Sequence, residues 1–178
     1  MNLVVDAPPW LIAVLGVSLA AATVEDVVRR RISNLACLAV FATALTAMAI
    51  RGFPLELWQN VLVFALLLLC GTAAFAAQLL GGGDVKLLAA VGLWMSLPAA
   101  VWLLAAVFIS GGLLAILFIL TRPMRRSAAD LDGKRRSSGI PYGLAIAAGA
   151  FMVFALQLGA LDKKTERPNP FAIVPMSK

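Results

Sequence analysis

The chain has 178 residues, 62% of them hydrophobic and 13% charged, with a net charge of +6, a mean hydropathy of +0.95 and no histidine. A water-soluble domain of this size cannot bury so much apolar side chain, because its surface stays large relative to its volume, so lipid is the expected solvent. The absence of histidine and of any CxxC pair excludes His-ligated metals, cysteine-only zinc sites, His general bases and the Ser-His-Asp and Cys-His nucleophile systems.

Six apolar segments follow in chain order. The first covers 10–24, with Pro8 and Pro9 suited to a helix start. Residues 1–9 carry no Lys or Arg, unlike the basic start of a cleaved secretory signal, so this segment is expected to stay as a membrane helix. The second covers 35–50, after Ser33 and Asn34, either of which can cap it. The third covers 57–80, the fourth 85–97, the fifth 99–121 and the sixth 140–161. Most approach the roughly 20 residues that a helix needs to cross hydrocarbon. The expected fold is therefore all-α: one polytopic membrane domain over 1–161 with about six transmembrane helices, then a polar tail over 162–178 expected to be poorly ordered. Cys37 and Cys70 lie inside apolar runs and are expected to be small buried side chains.

The fourth segment is short. At about 1.5 Å per residue it reaches about 20 Å, against a hydrocarbon core of about 30 Å. Either the glycines before it form a loop that dips below the membrane surface, or the fourth and fifth segments form one kinked unit or a shallow hairpin. Ser96 stands ready to cap the fifth. Orientation follows from the basic residues. Arg29, Arg30, Arg31, Lys86, Arg122, Arg125, Arg126, Lys134, Arg135 and Arg136 fall on the odd-numbered loops; Arg51, Lys163, Lys164, Arg167 and Lys178 fall on the other face. The odd loops are expected in the cytoplasm, with both termini outside.

This topology returns two acidic residues to one face. Asp26 follows the first segment, and Asp84 stands in Gly81-Gly82-Gly83-Asp84-Val85-Lys86. An ionised carboxylate at a bilayer costs roughly 2.5–3.5 kcal/mol on insertion scales and usually marks function. Two carboxylates at one site share a proton, which suits peptide hydrolysis: the ionised partner activates water and the protonated one polarises the scissile carbonyl. The field of the adjoining helices makes Asp84, before a helix, the general base and Asp26, after one, the general acid. The glycines permit positive φ and close approach of an extended substrate. The plainer alternatives are an Asp26–Arg30 ion pair, an Asp84 helix cap, glycines that only pack helices, and a Lys86 that snorkels to the interface.

The residues from Asp26 to Asn34, with Ile32-Ser33-Asn34 in place of Ile-Pro-Asn, the Gly81-to-Lys86 element, and Ile140-Pro141-Tyr142-Gly143 with Ala147-Ala148-Gly149 together resemble the type IV prepilin peptidases. These are membrane aspartyl proteases related in their Gly-x-Gly-Asp element to preflagellin peptidases and presenilin-like proteases. The resemblance implies that Asp26 and Asp84 are the catalytic pair. It implies a prepilin or pilin-like substrate, cut on the cytoplasmic side of a bacterial inner membrane after a short leader, with no metal or cofactor. It also implies that the Ile140-to-Gly143 element packs the last helix near the site. The chain lacks the cysteine-tetrad region of the larger bifunctional members and resembles the small, peptidase-only branch associated with Flp (tight-adherence) pili, so neither methyltransferase activity nor bound zinc is expected. Partners are the precursor and membrane lipids, with no nucleic acid, and the oligomeric state stays open. The rival readings are a small transporter or pilus-assembly scaffold without enzymatic activity, and a hydrolase of other membrane substrates.

Overall fold

The computed structural model describes residues 3–52, 54–129 and 142–165, and these are helical, with no strand among them. Seven α-helices follow in order: α1 Leu3–Asp6, α2 Pro9–Arg29, α3 Asn34–Ile50, α4 Trp58–Ala76, α5 Gly82–Gly92, α6 Leu97–Ala129 and α7 Tyr142–Thr165. A single 3-10 turn, Leu55–Leu57, leads into α4. Three segments are long and apolar enough to cross a membrane: Pro9–Arg29, Leu55–Ala76 and Leu97–Thr121. Asn34–Ile50 and Tyr142–Gln157 are shorter apolar helices. The protein is a membrane protein; each of the six apolar segments read from sequence forms a helix, and three of them are long enough to span.

Local chemistry sets most of the ends. Pro9 opens α2 at a position where its missing N–H costs nothing. Ser33 caps α3, its Oγ accepting the Ala36 N–H at 3.1 Å. At the end of α4, Gln78 takes the left-handed conformation at φ 59°, the Gln78 N–H reaches the Phe75 carbonyl, and the Leu79 N–H reaches that of Ala74. That is a Schellman stop, with glutamine where glycine is usual. α5 and α6 are separate helices, broken over 93–96, where the Trp94 and Met95 N–H groups bond back to Val91 and Gly92. Ser96 immediately precedes α6 and its carbonyl accepts the Ala100 N–H.

α5 forms the centre. It packs on α4, α3 and α7, and from Val85 to Met95 every side chain but Lys86 is buried. Its hairpin partner is α4, not α6. The long helices surround it and turn apolar faces outward: Trp102, Phe108, Ile109 and Leu113 of α6, for example, are all exposed. Cys37 is buried as expected, but Cys70 is exposed, because it lies on the outward face of α4. The chain alternates direction, so the ends of α2 and α4 and the starts of α3, α5 and α7 share one end of the bundle, where α6 passes the start of α7 at Gly111 and continues beyond it. At the opposite end the Asp6–Arg51 ion pair ties α1 to the cap residue that follows α3, and the Asn60 side-chain amide donates to the Leu93 carbonyl at 3.1 Å.

α6 and α7 run in close contact. A Cβ on Gly149 would stand 2.9 Å from the Val107 backbone nitrogen, and the Ser110 hydroxyl bonds across to the Ala145 carbonyl at 2.9 Å. Backbone cannot yield as a side chain can. Gly149→Ala should lower stability by about 1–3 kcal/mol, whereas Gly112→Ala, with nothing within 4 Å, should leave it unchanged or slightly higher. Thermal unfolding in detergent distinguishes the two.

Candidate active site

The inward stripe of α2 is Leu11, Leu15, Leu19, Ala22 and Asp26. The 3.6-residue period that buries the leucines buries the carboxylate too, at 6% exposure. Asp26 is met from across the bundle by the start of α7, where first-turn N–H groups have no partner within their own helix. The Gly143 N–H donates to Asp26 Oδ2 at 2.7 Å, and the Leu144 N–H also faces that carboxylate.

Asp84 lies in the first turn of α5, two residues after Gly82, and Gly81 holds the cap position in extended conformation at φ −76° and ψ 146°. The Asp84 side chain turns back on this cap. Its Oδ2 stands 2.7 Å from where a Cβ on Gly81 would lie, and it interacts with the Gly81 N–H, as the acidic member of a capping box does. Ile32 touches both the Gly83 position, next to Asp84, and the Gly143 position, which meets Asp26, so the two acids flank one side chain.

Ile32 wedges the elements together. A Cβ on Gly83 would be 3.0 Å from Ile32 Cβ, and a Cβ on Gly143 would be 2.8 Å from both Ile32 Cδ1 and Asp26 Oδ2. Glycine at 83 and 143 therefore lets α5 and α7 close on the turn after α2. The three sequence elements singled out above, around Asp26, Asp84 and Gly143, form one continuous patch at one end of the bundle.

Polar ties brace it. Glu25, beside Asp26, accepts the Ser33 N–H at 3.1 Å. Lys86, two residues after Asp84, donates from Nζ to Asn34 Oδ1 at 2.9 Å. The Cys37 thiol points at the Gly83 carbonyl, 3.7 Å away. Lys86 is thus exposed, as a snorkelling lysine is, but bonded across to α3. Neither Glu25 nor the Asn34–Lys86 pair was singled out from sequence. The spacing from Ser33-Asn34 to Lys86 carried no local signal that they meet. Among the described residues no cluster of three or more potential metal ligands occurs.

The geometry alters several sequence expectations. Asp26 does not ion-pair with Arg30; the Asp6–Arg51 pair is the one such contact among the described residues. Asp84 is not itself the cap of α5, since Gly81 is. Gly82 and Gly83 are already helical and none of the three glycines has positive φ, so they offer close approach rather than a strand edge. The helix-field argument that separated the two acids omits one helix. Asp84 does sit at the start of α5, but Asp26 faces the start of α7 as well as ending α2. Ile140, Pro141, Lys134, Arg135, Arg136 and the tail beyond Thr165 lie outside the described residues.

A family model described as the type IV leader peptidase family matches residues 13–119, a span that holds both acids and stops short of Gly143. No curated protein and no solved structure matches the chain.

The Gly143 position gives a direct check on this packing. Gly143→Ala drives a methyl group into the Asp26 carboxylate and Ile32 together. It should cost about 1–3 kcal/mol, seen as a lower thermal unfolding midpoint in detergent.

Proposed function

The chain belongs to the type IV leader peptidase family, and we propose that it removes leaders from prepilin-like precursors with Asp26 and Asp84 as its catalytic pair. The family carries aspartic peptidase activity and prepilin-like substrates in general. The observation that supports the assignment of these two residues is their shared site: a buried carboxylate on α2 and one at the start of α5, drawn to one patch by Ile32 and Gly143.

The two groups divide the work by their hydrogen bonds. Asp26 faces two backbone N–H groups, Gly143 and Leu144, and keeps the negative charge; Asp84 faces one and carries the shared proton. This reverses the roles expected from α2 and α5 alone, because the donors from α7 enter only through tertiary contact. Asp26 takes a proton from water as the water oxygen bonds to the scissile carbonyl carbon, and Asp84 gives its proton to the carbonyl oxygen. The result is a neutral gem-diol, with the proton of the pair now on Asp26. Asp26 then protonates the amide nitrogen while Asp84 takes a proton from one diol hydroxyl. The C–N bond breaks, releasing a carboxylic acid and an amine, and the pair returns to its first state.

Cleavage on the cytoplasmic face of a bacterial inner membrane fits the charge pattern, since Arg29, Arg30, Arg31 and Lys86 all flank this end of the bundle. Both termini then lie outside. The short loops of the described chain fit a peptidase-only member, of the kind associated with Flp pili.

In liposomes with a precursor segment that carries its leader, Asp26→Asn and Asp84→Asn should each abolish cleavage. The parent protein's kcat/KM should be bell-shaped in pH, falling in acid as both groups bind protons and in alkali as both lose them. Cleavage that survives in both single variants removes the pair from the mechanism.

A further inference from the structure

Arg30 ends α2 in the left-handed conformation, φ 52° and ψ 34°, which a side chain with Cβ adopts at a cost. Its Nη1 is buried and has no hydrogen-bond partner. Its charge reaches the Asp26 carboxylate, yet the two make no ion pair. Buried guanidinium nitrogens are nearly always bonded, because an unsatisfied charged donor loses its hydration without compensation. The backbone is an ordinary left-handed helix stop, the Arg30 N–H closing on the Asp26 carbonyl at 2.8 Å; the side-chain donor left without a partner four positions from Asp26 is what the fold itself does not use.

We propose that Arg30 donates to a main-chain carbonyl oxygen of the bound substrate at the scissile bond. This rests on the peptidase reading above. A carbonyl suits the position better than an acidic side chain, because the neighbouring aspartate pair already carries negative charge. The guanidinium is fixed in its charged form and offers several donors in one plane, so it meets the oxygen without a proton transfer of its own. As water adds to the carbonyl carbon, negative charge gathers on that oxygen before Asp84 delivers its proton, and a fixed cation stabilises this stage more than the ground state. Arg30 is thereby a third catalytic residue, supplied by the same turn that carries Ile32 into the patch.

The backbone conformation makes the test clean. Glycine and asparagine both accept left-handed φ, so Arg30→Gly and Arg30→Asn remove the donor without straining the turn. Both variants and Arg30→Lys are measured as the full chain in liposomes on a precursor segment that carries its leader, with thermal unfolding followed in parallel. The expected result is a fall in kcat of about a hundredfold for glycine and asparagine, unfolding midpoints no lower than the parent's, and partial recovery in the lysine variant. Parent-like turnover in Arg30→Gly overturns the proposal while leaving the aspartates in place, as does a change confined to KM, or a rate loss in both variants that tracks a lowered unfolding midpoint. If the parent protein does not cleave the precursor segment, the peptidase reading itself falls and the role of Arg30 with it; if Asp26→Asn and Asp84→Asn both still cleave, the aspartate pair leaves the mechanism and Arg30 has no pair to assist.

Discussion

The hydrogen bond from the Gly143 N–H to Asp26 Oδ2 joins residues 117 apart in sequence, and the site end of the bundle is arranged around it. A carboxylate on the inward stripe of an apolar helix is costly unless donors meet it. The start of α7 supplies them, because its first-turn N–H groups are free of intrahelical bonds. That donation requires the α7 backbone to lie against the end of α2, and only glycine at 143 allows it. Gly83 plays the matching part on α5, where Ile32 fills the space that a side chain would need.

The shortness of α5 becomes intelligible in this setting. A helix enclosed by α3, α4 and α7 meets little lipid and need not match the hydrocarbon thickness. Its job is positional: it carries Asp84 in its first turn and then anchors itself through an unbroken buried run from Leu87 to Met95. The non-helical segments at its two ends, 77–81 and 93–96, lie at opposite ends of the bundle.

Much of the bundle follows ordinary rules of apolar packing and capping, although buried atoms of Asn60, Trp94 and Gln157 lack partners away from the site. The candidate site combines a buried acid, a buried guanidinium nitrogen without a partner, and glycines where three helices converge. Local conflicts of this kind are expected where a chain sacrifices stability for chemistry. Polar ties from Glu25 to Ser33 and from Lys86 to Asn34 brace the same region, each within two residues of an aspartate.

The membrane setting, the six apolar helices and the return of Asp26 and Asp84 to one end were legible in the sequence, because hydropathy, helix length and alternation of direction are local or additive properties. The Ser33 cap and the proline start of α2 were legible for the same reason. The conformation of Arg30, the bond from Lys86 to Asn34 and the donors that face Asp26 were not. Each depends on which helix packs against which, and helix–helix packing is set by the shapes of surfaces far apart in the chain. That is also why the fields of α2 and α5 alone leave the environment of Asp26 incomplete: further N–H groups belong to α7, and folding alone brings them to Asp26.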